Sequence, residues 1–202
     1  VVVFPGGVGT AEEILYLLGV LLHPDNSKQP MPMIMTGPAA AEPYFKQIDD
    51  FVGQTLGREA QRRYSIVIDD PRRVAKMIRD ALGAVQEARR QHGDAYYFNW
   101  RLSIDPEFQL PFRATHEAMA KLQIRERLPK HELAANLRRA FSGIVSGNVR
   151  EDTISEIERR GPFAINGSAN IMSLLDELLA AFVRQKRMKI SGGEYQPCYE
   201  VS

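Results

Sequence analysis

Only one cysteine, Cys198, occurs among the 202 residues. An internal disulfide is thereby excluded, and a lone thiol supplies no metal cluster. A reducing, cytoplasmic setting is the expected one. No apolar run approaches the ~18 residues that a membrane-spanning helix needs. The short apolar opening also lacks the basic flank of a signal peptide. Excess charge is missing as well: 26 basic and 25 acidic side chains leave a net +1. That balance gives no global pull toward a nucleic-acid polymer or an anionic membrane. The histidines, four in all, show no metal-ligand spacing such as HxxxH. Internal repeats and low-complexity segments are absent too. The remaining composition, 44% hydrophobic and 25% charged, is ordinary globular usage that can bury a core.

An initiator methionine is also missing, since the chain opens on VVVFPGGVGTAEEI. A β-branched run, a glycine-rich turn and a helix start normally follow earlier elements of an α/β domain. The expectation is that the numbering begins inside a domain. Val1–Phe4 has the pattern of a short buried strand. Pro5 to Gly9 forms a turn, and Thr10 with Glu13 three residues later matches a capping box. Apolar residues from Ile14 to Leu22 then recur at helical spacing, and His23-Pro24 ends that helix. Met33-Ile34-Met35 and Tyr64–Ile68 are two further strands. Helices over residues 44–56 and from Val74 toward Arg90 follow them. Alternation of strand and helix is the signature of a parallel, doubly wound sheet.

Near residue 93 the composition shifts. The aromatic, proline-punctuated stretch AYYFNWRLSIDPEFQLPF suits an irregular or β segment. Helical patterns then cover 129–146, 151–160 and 168–189, with a short strand-like PFAING between the last two. The expected architecture is α/β. Residues 1–93 form the C-terminal half of a Rossmann-like, doubly wound nucleotide-binding domain, and residues 94–202 form a mostly helical accessory domain.

The opening turn carries the chemistry. A strand that delivers glycines to a helix N-terminus builds an anion site. Glycine removes the Cβ that blocks close approach, the first helical amides lack internal partners, and the helix dipole adds positive charge. A phosphate is the usual occupant. This is not a Walker loop, because no Gly-Lys-Ser/Thr follows, and the third glycine of the dinucleotide fingerprint is missing. Instead two carboxylates, Glu12 and Glu13, come straight after. That pairing suits a ligand with a phosphate at one end and a centre that becomes positive nearby, such as a sugar phosphate reacting through an oxocarbenium-like state. The simpler alternative is a turn where backbones merely pack closely, with Glu13 serving only as the capping partner of Thr10.

The stretch Pro5-Gly6-Gly7-Val8-Gly9-Thr10-Ala11-Glu12-Glu13 resembles the PGGxGTxxE motif of the LOG family, nucleoside 5′-monophosphate phosphoribohydrolases often mislabelled as lysine decarboxylases. The likeness extends to about residue 92. The second half is similar to the C-terminal domain of bacterial pyrimidine/purine nucleotide 5′-monophosphate nucleosidases, through FNWRLSIDPEFQLPF, AANLRRAFSGIVSGNV and GGEYQPCYE. The resemblance implies hydrolysis of the N-glycosidic bond of a nucleoside monophosphate, without metal or cofactor, by a homo-oligomer. It implies that Gly6, Gly7, Gly9 and Thr10 cradle the 5′-phosphate and that Glu13 is the catalytic glutamate. Glu12, about 100° further back around the helix, points toward solvent or a neighbour. The family's upstream arginine has no counterpart that can be placed here. A non-catalytic nucleotide sensor is the alternative, and Glu13 speaks against it. Lysine decarboxylation would need a Schiff-base lysine on pyridoxal phosphate, and no histidine precedes a lysine as that motif requires.

Other residues have plainer readings. His23 suits a helix end, and His92, His116 and His131 are scattered. Cys198 is structural. Asp69-Asp70-Pro71 suits a helix cap more than a ribose contact. Trp100 with Tyr96, Tyr97 and Phe98 is core rather than a base platform. Arg138-Arg139 and the run Arg184 to Lys189 are solvated faces by default, with an anionic nucleotide effector as the alternative. The apolar faces over 14–22 and 44–56 leave room for self-association.

Overall fold

The computed structural model describes residues 1–91, 93, 102–105, 108–190 and 194–202. The reading of Trp100, Tyr96, Tyr97 and Phe98 lies outside the described residues, as does that of His92. Two small parallel sheets organise the chain. The first contains β1 (Val2–Val3), β2 (Ile34–Gly37) and β3 (Ser65–Ile68) in that order. Ile34 pairs with Val2 and with Ser65, so the register is continuous across the three strands. Helices α1 (Val8–Leu22) and α2 (Glu42–Thr55) form the crossovers, the second followed by the single-turn α3 (Arg58–Gln61). After β3 comes the long α4 (Pro71–Gln91).

The pleat decides which helix meets which face. Met33 and Met35 join a core with α1 and α2, whereas Ile34 and Val67 point the other way and pack on Val74, Met77 and Ile78 of α4. Helices therefore cover both faces of a parallel sheet, an α/β arrangement consistent with a Rossmann-like fold.

The second sheet contains β4 (Gln123–Ile124), β5 (Phe163–Gly167) and β6 (Tyr199–Val201), all parallel. It sits among α5 (His116–Ala120), α6 (Lys130–Val149), α7 (Glu151–Arg160) and α8 (Ala169–Arg184). The second half is thus mainly helical, with a parallel sheet of which the sequence announced only the PFAING strand. The other two strands are two and three residues long, too short for any periodicity to register.

Val1–Phe4 is not a buried strand: Val1 is 53% and Phe4 65% exposed. β1 is an edge among the described residues. Beside it lies an apolar groove of about 1020 Å³ lined by Val1, Val2, Ile34, Ile78, Leu82 and Val85. Nor do the apolar faces over 14–22 and 44–56 stay available for self-association. α1 packs along α6 and α2 against α8, burying Ile14, Leu15, Leu18, Phe45, Ile48 and Val52 within the chain. Among the described residues, no helix is long and apolar enough to cross a membrane.

Candidate functional site

α1 begins at Val8, three residues earlier than the capping-box pattern implies. Gly7 is the N-cap residue, in extended conformation, and no side chain caps the helix. Thr10 is therefore not the N-cap. It lies inside the first turn, its amide donating to the Gly7 carbonyl at 3.2 Å. The reason is local: Gly7 takes the extended conformation of an N-cap, and the residues from Val8 onward are already helical. The opening amides are then left without the side-chain oxygen that would otherwise satisfy them.

The three glycines of the turn answer different needs. A Cβ at Gly6 would collide with the Thr10 hydroxyl. A Cβ at Gly7 would come within 2.8 Å of the Arg187 carbonyl oxygen. Both glycines are required by the packing of the protein against itself, the simpler alternative weighed above. Gly9 differs: its Cβ position meets nothing within 4 Å, and the residue is exposed. Glu13 is four residues on, hence on the same helical face, and is also exposed. The first turn of α1 thus presents an open face with an uncapped amide end at one side and a free carboxylate one turn below.

Glu12 is turned elsewhere. Its carboxylate lies 3.4 Å from Arg138 Nε on α6, and that guanidinium also covers the ring of Tyr16 at 5.4 Å. Arg138 is therefore not on a solvated face. Its Nε and Nη1 are buried without a hydrogen-bond acceptor, so the Glu12 charge is their main compensation. The two adjacent glutamates are separated by role: one is bound to the second half of the chain, and the other is left free beside the loop.

Two residues at this loop escaped the sequence reading. Tyr44, on α2, is buried and donates from its hydroxyl to the Gly7 carbonyl at 3.2 Å. Burial pushes its phenol above the ordinary value, opposed by the backbone at Gly6, the Arg187 charge and the Thr10 hydroxyl, while the Glu13 charge adds to the rise. Arg187, just beyond α8, donates to the Gly6 carbonyl at 2.8 Å and lies 4.4 Å from the Tyr44 ring centroid. Tyr44 looked like one more apolar position of an amphipathic helix, and Arg187 like one more cation in a basic run. No local pattern signals a contact 181 residues apart.

The remaining candidates are structural. The His23 Nδ1 accepts from the Asp25 amide at 3.2 Å, and its ring meets His131 edge-on at 5.0 Å. His116 hydrogen-bonds the Gly161 carbonyl at 2.8 Å and packs on Phe163. Asp70 caps α4 by accepting from the Arg73 amide at 2.9 Å. Burial pushes the Cys198 thiol up to about 11, which keeps this half-buried group protonated against the edge of the core. Among the described residues no group of three or more His, Cys, Asp or Glu is arranged to hold a metal ion.

Comparison with known proteins divides the chain in two. Residues 82–202 match the family model described as pyrimidine/purine nucleotide monophosphate nucleosidase, C-terminal. Residues 1–78 match the one described as possible lysine decarboxylase, the label that LOG-like proteins often carry. The chain is 52% identical over 201 residues to the pyrimidine/purine nucleotide 5′-monophosphate nucleosidase of Escherichia coli strain K12. The protein of the same name from E. coli O157:H7 is equally similar. The alignment covers 100% of this chain and 44% of each relative, so the chain spans less than half the length of the curated relatives it matches.

Proposed function

The chain belongs to the pyrimidine/purine nucleotide monophosphate nucleosidase C-terminal family, and from that premise we propose that the protein hydrolyses the N-glycosidic bond of purine and pyrimidine nucleoside 5′-monophosphates. The products are the free base and ribose 5-phosphate. The carrying observation is the open face of α1, where exposed Gly9 and Glu13, one turn apart, share one side of the helix.

In this reading the uncapped amides at Gly7 and Gly9, shaped by Gly6 and supported by the Thr10 hydroxyl, take the 5′-phosphate. The helix dipole adds to that attraction. Anchoring the phosphate fixes how far the sugar reaches, so C1′ comes to rest near Glu13. The C1′–N bond breaks, and its electron pair leaves with the base nitrogen. Water supplies hydroxide to C1′, and its proton ends on the base. The Glu13 carboxylate stabilises the positive charge that builds on the ribose ring and orients the water, the task that carboxylates perform at other glycosidic centres. Glu12 takes no part, because Arg138 holds it.

Lysine decarboxylation does not fit these residues. A lysine that carries pyridoxal phosphate is enclosed with its cofactor. In residues 1–78, Lys28 is exposed, and Lys46 and Lys76 are exposed partners of Asp50 and Asp80 on their own helices.

The test is to offer the complete protein a panel of nucleoside 5′-monophosphates and follow release of ribose 5-phosphate. Glu13→Gln is expected to lower kcat by about 10²–10⁴-fold with little change in KM. A parent that binds the nucleotides and releases no ribose 5-phosphate would establish the sensor reading instead.

A further inference from the structure

The turn after α8 is built to deliver one side chain. The Arg187 amide bonds back to the Phe182 carbonyl at 2.8 Å and the Lys186 amide to the Val183 carbonyl at 2.9 Å. This is the double bond pattern of a Schellman turn. Lys186 occupies its left-handed position at φ 57°, where glycine is usual. The chain is thereby folded back so that Arg187 meets the glycine loop on three sides. Its guanidinium bonds the Gly6 carbonyl, lies over the Tyr44 ring, and its own carbonyl oxygen occupies the space that a Gly7 side chain would need.

A trans peptide is planar, with its C=O and N–H opposed. Fixing the Gly6 carbonyl toward Arg187 therefore aims the Gly7 amide the opposite way. Fixing the Gly7 carbonyl toward Tyr44 does the same for the Val8 amide. Two successive amides at the entrance of α1 are oriented by donors from two distant elements, one of them in the second half of the chain. The Arg187 charge adds to the positive potential of the loop.

We propose that Arg187, stacked on Tyr44, is a positioning residue that holds the glycine loop in the conformation that receives the phosphate monoester of the substrate. The proposal rests on the nucleotide hydrolysis argued above and deepens it: the second half of the chain then acts on phosphate recognition by ordering the loop.

The experiment uses the complete protein with Arg187→Ala, Arg187→Lys and Tyr44→Phe. The readouts are KM, kcat, and inhibition by ribose 5-phosphate and by ribose. Arg187→Ala is expected to raise KM and the inhibition constant of ribose 5-phosphate together, by roughly tenfold or more. The change in kcat is expected to be much smaller, and inhibition by ribose unaltered. Arg187→Lys, which can still donate to the Gly6 carbonyl, recovers part of the loss. Tyr44→Phe, which keeps the ring but not the hydroxyl, shows a smaller effect of the same kind. Unchanged inhibition by ribose 5-phosphate in Arg187→Ala overturns the proposal. An equal loss for ribose and ribose 5-phosphate also overturns it, because that is the mark of general loosening. If Arg187→Ala does not fold, the same comparison on Arg187→Lys decides. Should the parent prove inactive, the hydrolytic reading falls, and calorimetric binding of ribose 5-phosphate to parent and variants still tests Arg187 alone.

Discussion

Glu12 and Glu13 are neighbours of one residue type, and their surroundings separate them. Glu12 compensates a guanidinium whose nitrogens are largely buried, whereas Glu13 is exposed. Glu12→Gln is expected to cost about 1–2 kcal/mol, between the values for exposed and buried pairs. Thermal melting should show this as a drop of a few degrees, with kcat per folded molecule retained. A catalytic loss in Glu12→Gln as deep as that in Glu13→Gln would contradict the assignment. Cys198 gives a second prediction at this scale. The folded chain keeps its thiol proton up to about 11, while the ordinary value is 9.0. The sign follows from linkage. The stability is fully present below the unfolded value and is lost as pH rises through the folded one. Denaturant midpoints of the parent should therefore fall more steeply across that interval than those of Cys198→Ala, since the alanine variant has no thiol to ionise. Parallel profiles would show that the thiol is not buried as described. The motif was legible in the residues because its glycines and acidic groups are contiguous. Tyr44 and Arg187 were not, because their importance comes from where the fold brings them.

At the level of elements, most helices and the longer strands announced themselves. The apolar spacing of Tyr44, Phe45, Ile48, Phe51 and Val52 is what α2 buries, and Glu151–Arg160 is a helix over the expected span. The misreadings fell at element ends. The capping-box pattern gives Thr10 the N-cap, yet Gly7 takes that place and the helix starts sooner. Lys186 gave no stop signal because lysine seldom adopts φ > 0. Such ends are governed by backbone conformation, and Gly161 shows the point quantitatively. It closes α7 at φ 87°, ψ 178°, a region that only glycine enters readily, although a Cβ there would meet nothing. Gly161→Ala is therefore expected to destabilise by about 1–3 kcal/mol through backbone strain alone. Urea denaturation measures this. A neutral substitution would mean that the turn relaxes without cost.

Across the whole molecule, the composition shift near residue 93 is not matched by a break in the core. One apolar cluster runs from Ile14 and Leu18 of α1 and Phe45 of α2 to Leu137 and Phe141 of α6 and Phe182 of α8. Tyr44 lies against Phe182 at 5.3 Å, and Phe182 against Phe141 at 6.4 Å. The Gln185 side-chain Nε2 donates to Gln47 Oε1 at 2.8 Å, and Lys130 Nζ donates to the Thr55 carbonyl at 3.2 Å. Pairings of this kind join residues far apart in the chain, so periodicity along a single element could not disclose them. It showed that α1 and α2 had broad apolar faces but not that the same chain covers them. A shared core predicts shared unfolding. Phe141 is fully buried, and Phe141→Ala is expected to cost about 3–5 kcal/mol. Its effect should not stop at residue 93. Hydrogen exchange in the variant should accelerate for the amides of α1 and α2 as much as for those of α6 and α8, by a common factor set by the lost stability. Acceleration confined to α6 and α8 would mean that the two halves open independently. In that case Arg187 could leave the glycine loop without unfolding it.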